Sequence, residues 1–485
     1  MRRKRLYRVT QPTSNLPLDP ATSTNAPAGQ HQLLRTMGLF SLIVYGVGDM
    51  VGSGIYGTVG KAAGQMGNAV WLAFVVSMVA AMLTGLSYAN IASRYPRAAG
   101  AAYVTHRAFH LAFLSYVVGL AVTASGMTSM ATSTRVFSTN LADFTGAPLW
   151  LLIVLFLLFM TFVNFWGIRE SMWTNLLCTA VEVGGLLFVI FIGMKYWGSV
   201  DYLEAATLRA VKSPDGTTTT EVVRTGLGFM PVLSASVLTF FAFVGFEDML
   251  NISEEVKDPE RTMPWGIVGA LAVVTLIYIG TALTAVSVVN YRDLFVASAP
   301  IESITQTAAP WLPRWVFKAI TMFAVANTVL INYIMGSRLL YGMSRQGMLP
   351  KALGRVHARR RTPHVAILVL LVVVLVLAQS GQVQDLGAAT GLLLLCCFTI
   401  VNGALIVLKL RPGEAKGKFE VPIVVPALGM VVNVTLIVAR LTDGSIGRMP
   451  QVIAGALVVF IAILYFIMRP TTITEEALAQ VEDES

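Results

Sequence analysis

Apolar stretches of bilayer length recur about twelve times along this chain, and no other feature restricts its fold as much. A crossing takes about 20 apolar residues. Lipid offers no water to the backbone, so each stretch has to satisfy its own amides and carbonyls as a helix. The stretches fall at 38–60, 70–93, 111–141, 148–165, 174–197, 227–251, 264–289, 313–343, 363–379, 383–410, 421–441 and 451–468. Those at 111–141 and 313–343 exceed what a crossing needs, so they tilt or project beyond the bilayer. Charged residues make up 13% of the chain and hydrophobic residues 55%. A soluble chain carries roughly twice that charge. The expected class is an all-α polytopic membrane protein with 12 transmembrane helices, whose core forms between helices in lipid.

The two ends differ from the middle. Residues 1–37 begin with a basic run and continue rich in Pro, Ser, Thr and Asn, which reads as a disordered tail. The first apolar run starts too far from those basic residues for a cleaved signal peptide. Residues 469–485 are acidic and polar, a second tail. An even number of spans puts both tails on one side. With the N-terminus inside, the tails and even-numbered connections hold most of the 35 lysines and arginines. Both termini are therefore expected in the cytoplasm, and the membrane is expected to be the cytoplasmic (plasma) membrane. The net charge of +9 follows from this orientation and does not call for nucleic acid.

The residues that commonly carry chemistry are sparse. Cys178, Cys396 and Cys397 lie in apolar runs and read as packing thiols. His106 and His110 are four apart, but a helix end at the interface explains them better than a metal pair. No metal-ligand cluster, nucleotide loop or Ser/His pairing stands at a catalytic spacing. Neither an enzyme nor a bound cofactor is expected.

The first span contains "GVGDMVGSGIYG", residues 46–57, with five glycines and an aspartate. Each glycine costs about 1 kcal/mol inside a helix. Two readings compete. Small residues allow close helix packing. Alternatively the helix is interrupted there, which lipid permits only where the break lines a cavity. A broken helix offers amides and a positive half-helix end to an anion, and carbonyls to a cation. An amino acid zwitterion carries both charges. The sixth span has a matching interruption, where Gly245 follows an aromatic-rich run and Glu247 and Asp248 come next. Those two acids read either as intramembrane functional groups or as the approach to the cytoplasmic face. First and sixth are five spans apart, the offset of two inverted five-helix repeats with a site between their first helices.

Four segments resemble the amino acid–polyamine–organocation superfamily of transporters. They are "GSGIY" in the first span, "SYANIASRYPRAAGAAYVTHRAF" after the second, "FFAFVGFEDMLNISEEVKDPERTMPWGI" through and after the sixth, and "SRLLYGMSRQGMLPKALGRVHARRRTPHVAI" after the eighth. The resemblance implies a LeuT-like fold with a 5+5 inverted repeat and alternating access. It places a transport core at 38–410 and two further helices at 411–468. By position, Ser53, Gly54 and Ile55 match the turn whose amides, with the Ser53 hydroxyl, hold a substrate carboxylate. The carbonyls of Met50, Phe241 and Val244 match those that take an α-ammonium, and Phe241 the aromatic that closes over the substrate.

Two positions depart from the family pattern. Asp49 stands where many members have a small or neutral polar residue. It serves either to neutralise a cationic substrate, with Glu247 as a possible gating acid, or to face a water-filled vestibule. Glu182 stands where several proton-coupled members have a lysine. A lone carboxylate in a dry setting takes a proton near neutrality, yet it also ligates sodium, or stands as a neutral buried acid hydrogen-bonded to a neighbouring helix. The eighth span offers Asn327, Thr328 and Asn332 but no Thr-Ser pair, thin provision for sodium. The expectation is a secondary active transporter of amino acids, with cationic amino acids or polyamines as one class, coupled to protons. The alternative is a sodium-coupled or uncoupled exchanger. Its partners are the small-molecule substrate, the coupling ion and membrane lipids.

Overall fold

The computed structural model describes residues 35–212, 218–297, 299–380, 383–442 and 449–468, so both expected tails lie almost wholly outside the described residues. The apolar runs fold into helices α1 (Leu39–Met66), α2 (Val70–Arg94), α4 (Ala112–Thr145), α5 (Leu149–Trp166), α6 (Ile168–Gly193), α7 (Phe229–Phe240), α8 (Pro259–Val288), α11 (Arg314–Arg345), α12 (His364–Ser380), α13 (Val383–Leu410), α14 (Val424–Thr442) and α15 (Met449–Met468). Among the described residues, 11 helical segments are long and apolar enough to cross a membrane. The 17-residue α12 is apolar but shorter, at the lower bound for a crossing. The two overlong runs form the longest helices, α4 with 34 residues and α11 with 32.

Connections carry structure that the apolar pattern does not announce. Short helices α3 (Gly100–Phe109), α9 (Tyr291–Val296) and α10 (Pro300–Ala308) fill three of them. Strands β1 (Ala206–Lys212) and β2 (Thr218–Thr225) pair antiparallel, with Ala206 opposite Thr225 and Leu208 opposite Val222. The hairpin is tied to the end of α1. Thr207 Oγ1 donates to the Gln65 carbonyl at 3.1 Å, and Asn68 Nδ2 donates to Glu204 at 2.9 Å.

The interior is organised around α1, which packs against α6, α7, α8 and α11, while α2 lies along α8 and α4 along α11 and α13. Polar side chains inside this core bond across helices. Ser77 of α2 meets the Thr239 hydroxyl of α7 at 2.6 Å, and Thr161 of α5 meets Tyr333 of α11 at 2.8 Å. The three cysteines are unpaired.

At the end of the bundle where α2 stops and α12 begins, ion pairs fasten the elements. Arg338 and Glu255, both fully buried, pair through two nitrogens at 3.2 and 3.3 Å. The backbone amides of Thr36 and Met37 donate to the Glu255 carbonyl at 2.9 and 3.0 Å, which ties the entry of α1 to the end of the sixth span. The loop between α13 and α14 docks on α2 through Glu420, which takes a fork of bonds from Arg94 at 2.6 and 2.8 Å and a further one from Lys409. Glu414 receives the Tyr95 hydroxyl at 2.5 Å and the Arg107 guanidinium. Burial alone would push the Glu420 carboxyl up. The donors on it outweigh that and hold it at about 2.

Candidate functional site

Both glycine-marked interruptions are real breaks, and they face each other. In α1 the helical dihedrals fail at Gly52 (φ −29°, ψ −144°). Ser53, Gly54 and Ile55 begin the next half-helix, whose first-turn amides lack helical acceptors. In the sixth span α7 tightens into a 3-10 turn at Phe241–Phe243, and Val244 is extended. Gly245 has φ +131°, a conformation that favours glycine, and the chain resumes as a 3-10 helix at Asp248–Glu255. A side chain on Gly245 would come within 3.0 Å of Asp49 Cγ, and one on Gly54 within 3.0 Å of Ala242 Cα. Tyr278 of α8 spans the junction, its hydroxyl lying 2.5 Å from the Met50 carbonyl and 2.8 Å from that of Ala242. One hydroxyl hydrogen serves two carbonyls, one from each broken span.

A cavity of about 110 Å³ opens at this junction. Asp49, Met50 and Gly54 line it from α1, and Phe241, Val244, Gly245, Glu247 and Asp248 from the sixth span. The far wall is Ser125, Gly126 and Ser129 of α4 with Thr328 and Asn332 of α11. Three acids and no lysine, arginine or histidine line it among the described residues. Asp49 is buried and its Oδ2 has no partner. Glu247 Oε2 accepts the Gly245 amide at 2.8 Å. Glu247 and Asp248 are therefore buried at the break itself.

Of the residues singled out by sequence, Asp49, Met50, Gly54, Phe241, Val244 and Glu247 come together in this cavity. Ile55 has its side chain fully buried in the core, so only its backbone is near the break. The Ser53 side chain is outside the described part of the structure. Met50 O holds the Tyr278 hydroxyl, and Phe241 O holds the Val244 amide at 3.3 Å. Each carbonyl keeps a second lone pair for a ligand. The α4 wall and Tyr278 were not anticipated. The signal for the former was the hydroxyl-rich "TASGMTSMATS" at 123–133, whose small and polar residues suit a wetted wall. A lone tyrosine in α8 gave no signal.

Glu182 is placed elsewhere. It is fully buried on α6, and neither carboxylate oxygen has a hydrogen-bond partner. Asn327 of α11 is the polar side chain that faces it. The Asn327 amide is committed, with Nδ2 donating to Thr179 Oγ1 at 2.9 Å and to the Gly48 carbonyl at 3.4 Å. Its Oδ1 accepts from Asn175 at 2.9 Å. A side chain at Gly48 would lie 2.2 Å from Thr179 Oγ1, so α1 and α6 touch here. Thr328 and Asn332 border the cavity, whereas Asn327 belongs to this second cluster. No group of three His, Cys, Asp or Glu side chains is placed to hold a metal ion among the described residues, and His106 and His110 stand at the end of α3 with rings 6.5 Å apart.

The sequence profile of the amino acid permease family matches residues 37–473. The branched-chain amino acid permease BcaP of Bacillus subtilis (strain 168) is 26% identical over 438 residues, covering 85% of this chain and 89% of the relative. The methylthioribose transporter of the same organism is 28% identical over 430 residues, 84% and 88% of the two chains. The chloroplastic cationic amino acid transporter 9 of Arabidopsis thaliana is 29% identical over 367 residues, 70% of this chain and 60% of the relative. These names denote transporters and not enzymes. The chain belongs to the amino acid permease family, within the amino acid–polyamine–organocation superfamily of membrane transporters.

Proposed function

We propose that this protein carries an amino acid or related amine across the cytoplasmic membrane by alternating access, with both termini in the cytoplasm and a proton as the coupling ion. The observation that carries the reading is the cavity between two facing helix breaks, walled by three acids and no base. In this reading the amides of Ser53, Gly54 and Ile55 hold the substrate carboxylate. The free lone pairs of Met50, Phe241 and Val244 carbonyls take the ammonium, and Phe241 closes over the substrate. The names of the relatives cover branched-chain and cationic amino acids and a thiosugar, so they do not choose a class. The acids do. Asp49, Glu247 and Asp248 have no cation of the protein beside them in the cavity, and a second positive charge on the substrate would supply it, as in arginine, lysine or a polyamine.

Glu182 supplies the coupling group. An ionised carboxylate with no donor on either oxygen is costly inside a membrane, and a proton removes that cost as the helices close. The cluster beside it argues against sodium. The Gly48 carbonyl and the Thr179 hydroxyl already receive hydrogens from Asn327, where a cation site would turn bare oxygens inward. Uptake into proteoliposomes, with and without sodium from pH 5.5 to about 8, tests the reading. Accumulation is expected to rise as external pH falls and to be indifferent to sodium. Glu182→Gln is expected to keep exchange and lose accumulation on a pH gradient. Strict sodium dependence, or a Glu182→Gln protein that still accumulates substrate on that gradient, refutes it.

A further inference from the structure

Between α11 and α12 the chain carries Lys351, Arg355, Arg359, Arg360 and Arg361, and the sequence has no Asp or Glu from 303 to 384. None of these five cations makes an ion pair among the described residues. Four cations at other helix ends and in other connections differ. Arg94 and Lys409 share Glu420, Arg107 has Glu414, and Lys418 reaches Glu260 at 2.7 Å.

The unpaired cluster is also held in shape. The His357 amide donates to the Thr362 carbonyl and the Arg361 amide to the His357 carbonyl, both at 2.9 Å. The Thr362 hydroxyl reaches the Phe165 carbonyl at 3.1 Å and pins the loop to the end of α5. Arg361 sits at φ +57°, an uncommon conformation for a residue with a side chain. Orientation in a membrane needs positive charge in a loop and nothing more. It does not need three consecutive arginines on a tied turn.

An apolar surface adjoins them. The Arg360 guanidinium lies 4.0 Å from the centroid of the Trp166 ring, the last residue of α5. Trp166 is itself exposed and packs on exposed Phe162, one turn back along the helix. Leu368 and Val372 of α12, the helix that follows the loop, are exposed as well. Tryptophan at a helix end marks the headgroup level of a bilayer.

We propose that this loop binds the phosphate headgroup of an anionic phospholipid, with Arg359, Arg360 and Arg361 around the phosphate and the acyl chains along the outer faces of α5 and α12. A soluble anion would use the arginines but not the apolar flank. Clustered lysines and arginines beside a spanning helix each gain about 1 kcal/mol from anionic lipid, roughly a fivefold effect per residue.

The test titrates the purified full-length protein in detergent with phosphatidylglycerol, phosphatidylcholine of the same chains, and inorganic phosphate, and reads thermal stabilisation. Phosphatidylglycerol is expected to bind several-fold more tightly than phosphatidylcholine, with no effect of phosphate. Arg359→Gln and Arg360→Gln are each expected to weaken that binding about fivefold. Lys418→Gln, which removes an already paired cation elsewhere, is expected to leave it unchanged. Equal response to both lipids, stabilisation by inorganic phosphate equal to that by phosphatidylglycerol, or wild-type lipid preference in Arg359→Gln would each overturn the proposal. The wild-type lipid comparison decides it even where a substituted protein does not fold.

Discussion

Glu182 and Glu255 are both fully buried glutamates in one helical core, and they are provided for in opposite ways. Glu255 has the two-pronged Arg338 on its carboxylate, and Arg338 is completed by Asn164 at 3.1 Å and Ser337 at 2.8 Å. Glu182 has no donor on either oxygen. A buried charge with a full set of partners fastens a structure. One without partners is a standing cost, retained where a change of protonation is put to use. On the proposed coupling role of Glu182, the contrast separates an acid that holds this bundle together from one that operates it, and it can be broken by experiment.

The largest effect is expected where the fastened acid is stripped of its partner. Arg338→Met leaves Glu255 as bare as Glu182 but in a place built for an ion pair, at a cost of about 3–5 kcal/mol. Arg338→Met combined with Glu255→Leu should recover much of that, because no orphan charge remains. Glu182→Gln breaks no ion pair and should cost far less than Arg338→Met does. Thermal unfolding of the four proteins in one detergent checks this. Equal losses for Arg338→Met and Glu182→Gln would erase the distinction.

Next in size is the break itself. At Gly54 a leucine would force its Cβ to 3.0 Å from Ala242 Cα, between the two interrupted spans and into the cavity. Gly54→Leu should weaken substrate binding by about 100-fold, in line with the cost of overpacking a tight contact. The helices elsewhere keep their packing, so a folded, membrane-inserted protein is expected. Wild-type affinity in a thermal-shift titration would move the site away from this junction.

Much of this was legible beforehand. The spans were, because lipid imposes both length and composition on a helix. So were both interruptions, because glycine is costly in a helix and Gly245 sits beside two acids. What pairs with what was not legible. Arg338 is 83 residues from Glu255, and nothing local in either segment names the other. The 3-10 form of the sixth span after its break also escaped, since its side chains suit an α-helix equally well. The strand pair at 206–212 and 218–225 has a β-branched run in its second strand, but strands this short leave no apolar run of crossing length. The hydroxyl face of α4 and the Tyr278 bridge depend on which face of a helix turns inward, and a helix apolar all round does not declare that.

A smaller effect is expected at Asp49, which differs from both glutamates because it borders the cavity and keeps one oxygen unpartnered. If that oxygen waits for a cation on the substrate, Asp49→Asn exchanges a charge-assisted bond for a neutral one. Affinity for arginine or a diamine should fall roughly tenfold, and affinity for leucine or alanine should hold. Parallel titrations of the two classes give the answer. Equal loss in both would assign Asp49 to gating or folding and leave the cationic preference without support.

The smallest effect tests whether a fastened acid can imitate an operating one. Glu420 titrates outside the membrane, where Arg94, Lys409 and the Gly417 amide overcome the upward push of burial and hold its carboxyl at about 2. An unfolded glutamate titrates near 4.3. Because the folded value is the lower, the contribution of Glu420 to stability is complete above about pH 4.3 and is lost only as pH falls toward 2. Between pH 5.5 and about 8 the docked loop should therefore not change. Hydrogen exchange of residues 411–420, corrected for the intrinsic rate at each pH, should be the same at both ends of that window. Glu420→Gln should speed it about fivefold at every pH, matching the roughly 1 kcal/mol of an interfacial ion pair. Exchange in the unsubstituted protein that already quickens at pH 5.5 would give the loop a proton response of its own. The pH dependence of uptake would then no longer single out Glu182, and the line between the two kinds of acid would have to be drawn elsewhere.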